Sequence, residues 1–432
     1  MNQATAPRAV MIGTGLIAIA AIGAGCAERG SGAPEAPAKS LLLADSVDQV
    51  DQIAREPMIV EHRDGALFVS GYGAPSPALW RSADQGRTWN RVDVGTAERG
   101  ALGNSDVDLA VAPDGTVYFL TMVFDRAALE GVNVNMAVSK DVGATWTWAQ
   151  LSQSRFDDRP WVEVAPDGTA HVIWNDADGV AHATSADGGR SWTERDRIHP
   201  KGGSSHLAVG PRGEVAVRIT PLSTSGNHFN PGIELIAVSS DGGLTWRKGP
   251  APGQRTWQAF RDTTVTPPRW VPPTEPRWVE PLAWDAGGAL YSLWTSGGEL
   301  WLARSADQGG TWQSWLLDRG TEPRYYPYLV ARGTGQLAAT WFSGRADSLR
   351  GNLAAIEVGV GDAAPRFVRA APFLVDAWTS GPRPEDPPTR DAAGEYLAVS
   401  FLRDGSLAVV APIQNERDRR FGFSYRRYTI ER

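Results

Sequence analysis

The sequence predicts an all-β chain folded as a β-propeller of four-stranded antiparallel blades, with seven blades in preference to six. Three observations carry this expectation. The chain is rich in turn formers, with 47 Gly and 30 Pro in 432 residues, and no long stretch repeats apolar residues at helical spacing. A short pattern, Ser-x-Asp-x-Gly-x-(Thr/Ser)-Trp, recurs five times at intervals of about one blade. A longer unit, two apolar runs around a Gly-bearing turn, recurs seven times.

The five short segments occupy residues 82–89, 139–146, 185–192, 239–246 and 305–312. Each reads as a hairpin turn. Short Ser and Asp side chains accept hydrogen bonds from turn amides, Gly supplies positive φ, and Trp seals the turn onto the layer beneath. The longer units centre on Asp64-Gly65, Asp114-Gly115, Asp167-Gly168, Arg212-Gly213, Gly287-Gly288, Thr334-Gly335 and Asp404-Gly405. One such hairpin plus one short-pattern hairpin makes a four-stranded blade. The sixth blade keeps only a degenerate turn around Gly359-Val360-Gly361-Asp362, and the seventh, from Glu395 onward, offers three strands. Ser40-Leu41-Leu42-Leu43 is expected to fill its vacant place and so remove an exposed sheet edge.

The first part of the chain differs in kind. After Arg8 an apolar run extends from Ala9 to Ala24 and ends at the single cysteine, Cys26, too short for a membrane span and of the length of a secretory signal. Ile22-Gly23-Ala24-Gly25-Cys26 resembles a bacterial lipobox, which implies a signal peptide over residues 1–25 and lipidation of Cys26. Residues 26–39, rich in Ala, Gly, Pro and Glu, read as a flexible tether, and residues 40–432 as the propeller. The resemblance implies export across the inner membrane and lipid anchoring in the bacterial cell envelope. One cysteine allows no intrachain disulfide.

The five repeats resemble the Asp-box (bacterial neuraminidase) repeats of the sialidase superfamily, a motif specific for fold rather than activity. Active sialidases use three arginines on the substrate carboxylate, a Tyr nucleophile activated by Glu, and an Asp acid/base. Arg55-Glu56-Pro57 stands where the family has Arg-Ile-Pro. The loop 70–77, where the acid/base Asp is expected, holds no carboxylate. Asp106, Asp157 and Asp158 precede apolar strands that converge on the same channel mouth. Arg159, Arg277 and Arg324 likewise open inner strands; a guanidinium fork suits a carboxylate, though each also has an acidic neighbour to pair with. The candidate site is therefore Tyr326, Glu280 and Asp158 for catalysis, with Arg55, Arg159, Arg277 and Arg324 for substrate.

Composition narrows the partners. A net charge of −7 repels a phosphate backbone, so nucleic acid is excluded as a partner. The six histidines lack metal-ligand spacing, Asn175-Asp176-Ala177-Asp178-Gly179 reads as a hairpin turn rather than a calcium loop, and no phosphate-binding glycine motif precedes a helix. No cofactor or metal is expected. The long Pro- and Trp-bearing loops at residues 251–281 and 373–396 suit binding. The reading is a monomeric, glycan-binding and potentially glycan-hydrolysing propeller, with a non-catalytic propeller holding an envelope protein as the alternative.

Overall fold

The computed structural model describes residues 38–220, 233–253, 260–262, 269–271, 280–296, 298–344, 348–359, 361–378 and 393–432. It is a seven-bladed β-propeller. Among the described residues the only helix is a single 3-10 turn, Ala97–Arg99. The inner strands of the blades are Arg55–Glu61, Ser105–Val111, Asp158–Val164, Gly203–Val209, Leu282–Trp284, Arg324–Ala331 and Val399–Phe401. Each contacts the next, and the seventh contacts the first, so the ring closes around an axial channel.

The seventh blade is completed as the sequence implied, by a longer strand than expected. Ser40–Val50 pairs antiparallel with Arg420–Glu431, from Ser40 opposite Glu431 to Val50 opposite Gly422. Outside the ring plan, Phe260–Asp262 and Arg269–Val271 form a two-stranded sheet after the fourth blade.

The short repeats fold as the local chemistry requires. In the first, Ser82 Oγ donates to Asp84 (2.8 Å) and accepts from the Gly86 amide (2.8 Å). The Asp84 carboxylate accepts from the Thr88 amide (2.9 Å) and hydroxyl (2.7 Å), and the Trp89 indole donates to the Gly86 carbonyl (3.0 Å). These hydrogen bonds hold the Asp84 carboxyl down at about 2, the Thr88 hydroxyl contributing most. The same Ser–Asp–Gly ties recur at Ser139, Ser185, Ser239 and Ser305.

The repeats also join blade to blade. A Cβ on Gly86 would lie 2.2 Å from Tyr425 of the seventh blade, and one on Gly243 would lie 2.3 Å from His182 of the third. Both glycines have positive φ, so each turn lies flat on its neighbour only because it lacks a side chain. Aromatic contacts complete the seams: Trp89 meets Phe423 and Tyr425 edge-on at 5.2 and 5.4 Å, Trp192 meets Tyr118 at 6.2 Å, and Trp246 meets His182 at 5.7 Å. Only Trp89 of the five motif tryptophans is buried; the others are half-buried.

Nearer the axis, side chains bond to the backbone of the next blade. His62 Nε2 meets the Gly115 carbonyl (2.8 Å), Asp108 accepts from the Val162 amide (2.8 Å), and Asn175 accepts from Ser204 (2.7 Å). Asp285 accepts from Gly335 (2.8 Å), and Glu56 accepts from Glu395 (2.8 Å) across the seam between the seventh and first blades. Each satisfies a buried polar group that an apolar seam would leave unpaired.

Gly86→Ala is expected to destabilise the protein by about 2–4 kcal/mol, through overpacking against Tyr425 plus positive-φ strain. Gly65→Ala is the control, with comparable φ and nothing within 4 Å of its added Cβ. Urea denaturation of the two variants checks this; equal midpoints would reject the seam contact as the cause.

Candidate active site

Five inner strands share one irregularity at or near their first residue, a break in register against the second strand. It falls between Arg55 and Met58, Ser105 and Val107, Asp158 and Trp161, Ser204 and His206, and Tyr325 and Tyr328. In three of them the bulged residue precedes proline and has positive φ: Glu56 at 45°, Arg159 at 50° and Tyr326 at 45°. A pre-proline residue disfavours helical backbone and a non-glycine residue disfavours positive φ, so the surrounding fold imposes these conformations. A bulge redirects one side chain against the strand's normal alternation. Here it re-aims the side chains of Glu56 and Arg159.

Glu56 and Arg159 join an acidic cluster drawn from the first, second, third and seventh blades: Arg55 and Glu56, Asp106, Asp158 and Arg159, and Glu395, flanked by the phenols of Tyr72 and Tyr396. Arg159 pairs with Glu395 at 2.6 Å and lies 3.8 Å from Asp158. The Arg55 guanidinium lies over the Tyr72 ring at 5.6 Å. Among the described residues four carboxyl groups thus face two guanidinium groups, and burial with this crowding shapes the proton affinities of Glu56, Asp106 and Asp158. Burial pushes the Glu56 carboxyl up to about 8, with the charges of Asp106 and Glu395 adding to the effect. Burial likewise pushes Asp158 up to about 7, partly offset by Arg159 and reinforced by Asp106 and Glu395. Asp106 is raised for the same reasons. Burial, then the Glu56 charge, keeps Tyr72 protonated far above neutrality, and burial does the same for Tyr396.

The cluster therefore holds protons near neutral pH in a partly accessible place. Glu56 is 6% exposed, whereas the Asp158 side chain is 39% exposed. Asp106 is half-buried beside it. Two neighbouring carboxyls, one protonated and one ionised, are the minimum apparatus for general acid–base chemistry.

The sequence-derived candidates separate into two groups. Arg55, Asp158 and Arg159 come together at this mouth. Three others are engaged elsewhere. Glu280 is 1% exposed and ion-paired to the buried Arg218, which also binds Glu234 at 2.8 Å and so ties the fourth blade to the fifth. Arg324 is committed to Asp318 and the Gly298 carbonyl, and Asp318 also takes Arg369 at 2.6 Å. Tyr326 is 2% exposed within the main apolar core. The expected Tyr–Glu nucleophile pair is thus replaced by packing and buried ion pairing. Asp157 is also structural, since its buried carboxylate accepts from Ser152 Oγ (2.8 Å) and the Ser154 amide (3.2 Å). Arg277 and Cys26 lie outside the described residues. Asn175 to Gly179 forms the expected hairpin, with Asp176 bound by Arg197 at 2.6 and 2.7 Å. Among the described residues, no three His, Cys, Asp or Glu side chains converge in a metal-binding group.

Sequence reasoning missed Glu56 as a functional group, together with Glu395, Tyr72 and Tyr396. Glu56 was visible as a departure from Arg-Ile-Pro. Glu395, 236 positions from Arg159, had no local signal beyond its place at the end of a long loop.

The fold defined by these blades has many solved counterparts. The structure of YCF48 from Cyanidioschyzon merolae aligns with a TM-score of 0.51 at 12% identity, covering 89% of this chain and 98% of that one. A GH93 alpha-L-arabinofuranosidase of Fusarium graminearum in complex with arabinobiose aligns at 0.48 and 12% identity, covering 90% and 97%. The NanB sialidase of Streptococcus pneumoniae, as its K499G mutant, aligns at 0.43 and 14%, covering 90% and 70%. At these identities the likeness is one of fold. No family model and no curated protein matches the chain.

The raised Glu56 carboxyl makes stability depend on pH in a defined direction. Its folded-state affinity exceeds its ordinary value of 4.5 and reaches about 8, so the native state binds the proton more tightly than the unfolded chain. Stability is fullest below about 4.5 from this group and declines as pH rises toward 8. Glu56→Gln is expected to flatten that decline, read from thermal midpoints across pH 5–9; an unchanged slope would count against it.

Proposed function

We propose that the protein is a glycan-binding propeller that hydrolyses glycosidic bonds in uncharged sugars at its channel mouth. Asp158 acts as the general acid and Asp106 as the paired base or nucleophile. The observation that carries this reading is the half-exposed Asp158, held protonated near pH 7 beside a second carboxyl. Glycoside hydrolysis needs that division of labour, one carboxyl to protonate the leaving oxygen and another to act at the anomeric carbon. The Arg159 amide positions Asp158 by donating to its carboxyl (3.0 Å), and burial, with the charges of Asp106 and Glu395, helps Asp158 retain its proton against the opposing Arg159 charge.

The same electrostatics argue against an acidic sugar. Arg159 already serves Glu395, Arg55 lies among carboxyls, and Arg324 serves Asp318. A substrate carboxylate entering this mouth would have to compete with protein carboxyls for each of these guanidinium groups. Tyr nucleophiles suit anionic substrates, because a carboxylate nucleophile would repel them; here the phenols of Tyr72 and Tyr396 stay neutral. The apolar run ahead of Cys26 supports export and lipid attachment, which would place the activity in the cell envelope.

Assay of the purified protein against uncharged aryl glycosides and a fluorogenic sialoside tests this reading. Turnover is expected on an uncharged glycoside and not on the sialoside, and Asp158→Asn is expected to lower kcat by about 10²–10⁴. An absence of turnover and of glycan retention would instead favour the protein-binding alternative.

A further inference from the structure

The proposed acid stands beside a cation that could strip it of its proton. Arg159 follows Asp158 directly in the chain, and its Nε lies 3.8 Å from the Asp158 carboxyl. An Asp carboxyl paired with Arg ordinarily gives up its proton about 1–3 pH units lower than an unpaired one. The Arg159 guanidinium, however, is engaged on its other side, where Nη2 donates to Glu395 Oε2 at 2.6 Å and both residues are buried. Burial disfavours the Arg159 charge, and Glu395 does most to maintain it, ahead of Tyr396, Asp158 and Asp106. Two carboxyls thus compete for one guanidinium, and the closer contact goes to Glu395.

The placing of Glu395 is over-determined by its neighbours. Gly394 has a φ of 78°, and a Cβ there would lie 2.3 Å from Glu56 Cγ, so the seventh blade rests its backbone on that side chain where a larger residue would not fit. The Glu395 amide donates to Glu56 Oε1 at 2.8 Å. The Tyr396 ring meets Trp161 edge-on at 5.2 Å, two residues beyond Arg159 on the same strand. The Leu397 carbonyl accepts from the Thr340 hydroxyl of the sixth blade. Four successive residues, 394 to 397, are therefore each seated on another blade, and the Glu395 carboxylate is a fixed acceptor. The Asp158 carboxyl, by contrast, is partly open to solvent.

We propose that Glu395 is a positioning residue: by holding the Arg159 guanidinium it keeps that cation from pairing with Asp158, so that Asp158 remains the proton donor of the mouth. The role rests on the reading of Asp158 as the acid, and it acts through Arg159 with no contact to substrate. Among the described residues, the other titratable groups around this trio are Arg55, Glu56 and Tyr72 of the first blade, Asp106 of the second and Tyr396 of the seventh. Removal of the Glu395 charge leaves Asp158, on the adjacent residue, to receive the guanidinium. Asp158 then ionises at lower pH, and a general acid that has lost its proton cannot serve the leaving oxygen. A residue that merely tied the seventh blade to the third would, when removed, cost stability and leave the titration of Asp158 in place.

Carbon-13 NMR of the whole protein, labelled at the aspartate carboxyls, follows Asp158 without substrate, and Asp158→Asn identifies its signal. In Glu395→Gln the midpoint of that signal is expected to move to lower pH by about one unit or more, as for an Asp newly paired with Arg. In the double variant Glu395→Gln/Arg159→Met, which removes both charges of the pair, the midpoint should return to the wild-type position or above it, because no guanidinium remains to be transferred. A crystal structure of Glu395→Gln should show the guanidinium within about 3 Å of Asp158. Where turnover is measured, kcat/KM of the single variant should fall off at correspondingly lower pH. The NMR shift without any turnover would sustain the positioning role and reject hydrolysis. The proposal is overturned by an unmoved Asp158 midpoint in Glu395→Gln, by a double variant that stays as low as the single one, by a guanidinium that keeps its place, or by a Glu395→Gln that fails to fold, since Arg159 would then not have passed to Asp158.

Discussion

The contact on which the rest of this structure depends is the flat seating of one blade's turn on the blade before it. At Gly86 and Gly243 the backbone of a hairpin turn lies against Tyr425 and His182 with no room for a side chain. The Ser and Asp of the motif tie off the turn internally, so it presents little unpaired polarity to the neighbour. The spacing between blades follows from that contact, and the number of blades that fills the circle follows from the spacing. Convergence of seven inner strands on one axis is the geometric result.

That convergence is what gives isolated side chains collective chemistry. Glu56, Asp106, Asp158 and Glu395 come from four blades and would have nothing to do with one another if the blades stood apart. Brought together at the mouth, burial and neighbouring charge raise the proton affinity of Glu56, Asp106 and Asp158, and the two arginines among them offset only part of the effect. The bulges at Glu56 and Arg159 add local strain to this crowding, with positive φ immediately before proline. Such strain persists only where the surrounding fold overdetermines it. Here the hydrogen bond from the Glu395 amide to Glu56 and the ion pair from Glu395 to Arg159 do so from across the ring.

The fold was legible in the sequence because its determinants are local. Ser82, Asp84, Gly86 and Trp89 interact within one turn, so their spacing announces the hairpin, and five copies announce the ring. Ser40 to Leu43 was readable as the missing strand because the last blade was one short; its extension to Val50 was not, since Asp45 and Asp48 break the apolar pattern while still pairing through the backbone. The site was legible only in part. Arg55, Asp158 and Arg159 could be placed at the mouth by their position ahead of inner strands. Glu280 and Arg324 occupy similar sequence positions, yet their side chains turn to Arg218 and Asp318, partners set by seams rather than by motif. Where a side chain at a strand start points depends on the bulge beneath it, and that is decided by pairing with the second strand.

The composite seventh blade has a consequence for how the chain is made. Ser40 and Glu431 are 391 positions apart yet share one ladder. On a ribosome the strand synthesised first must wait, with Leu41 and its backbone edge unprotected, until the final strand emerges. Ring closure is therefore the last event of folding, and contacts of such long range are slow to form. A nascent propeller of this design spends its biosynthesis as an open arc, with the edges that the last blade will cover still unpaired.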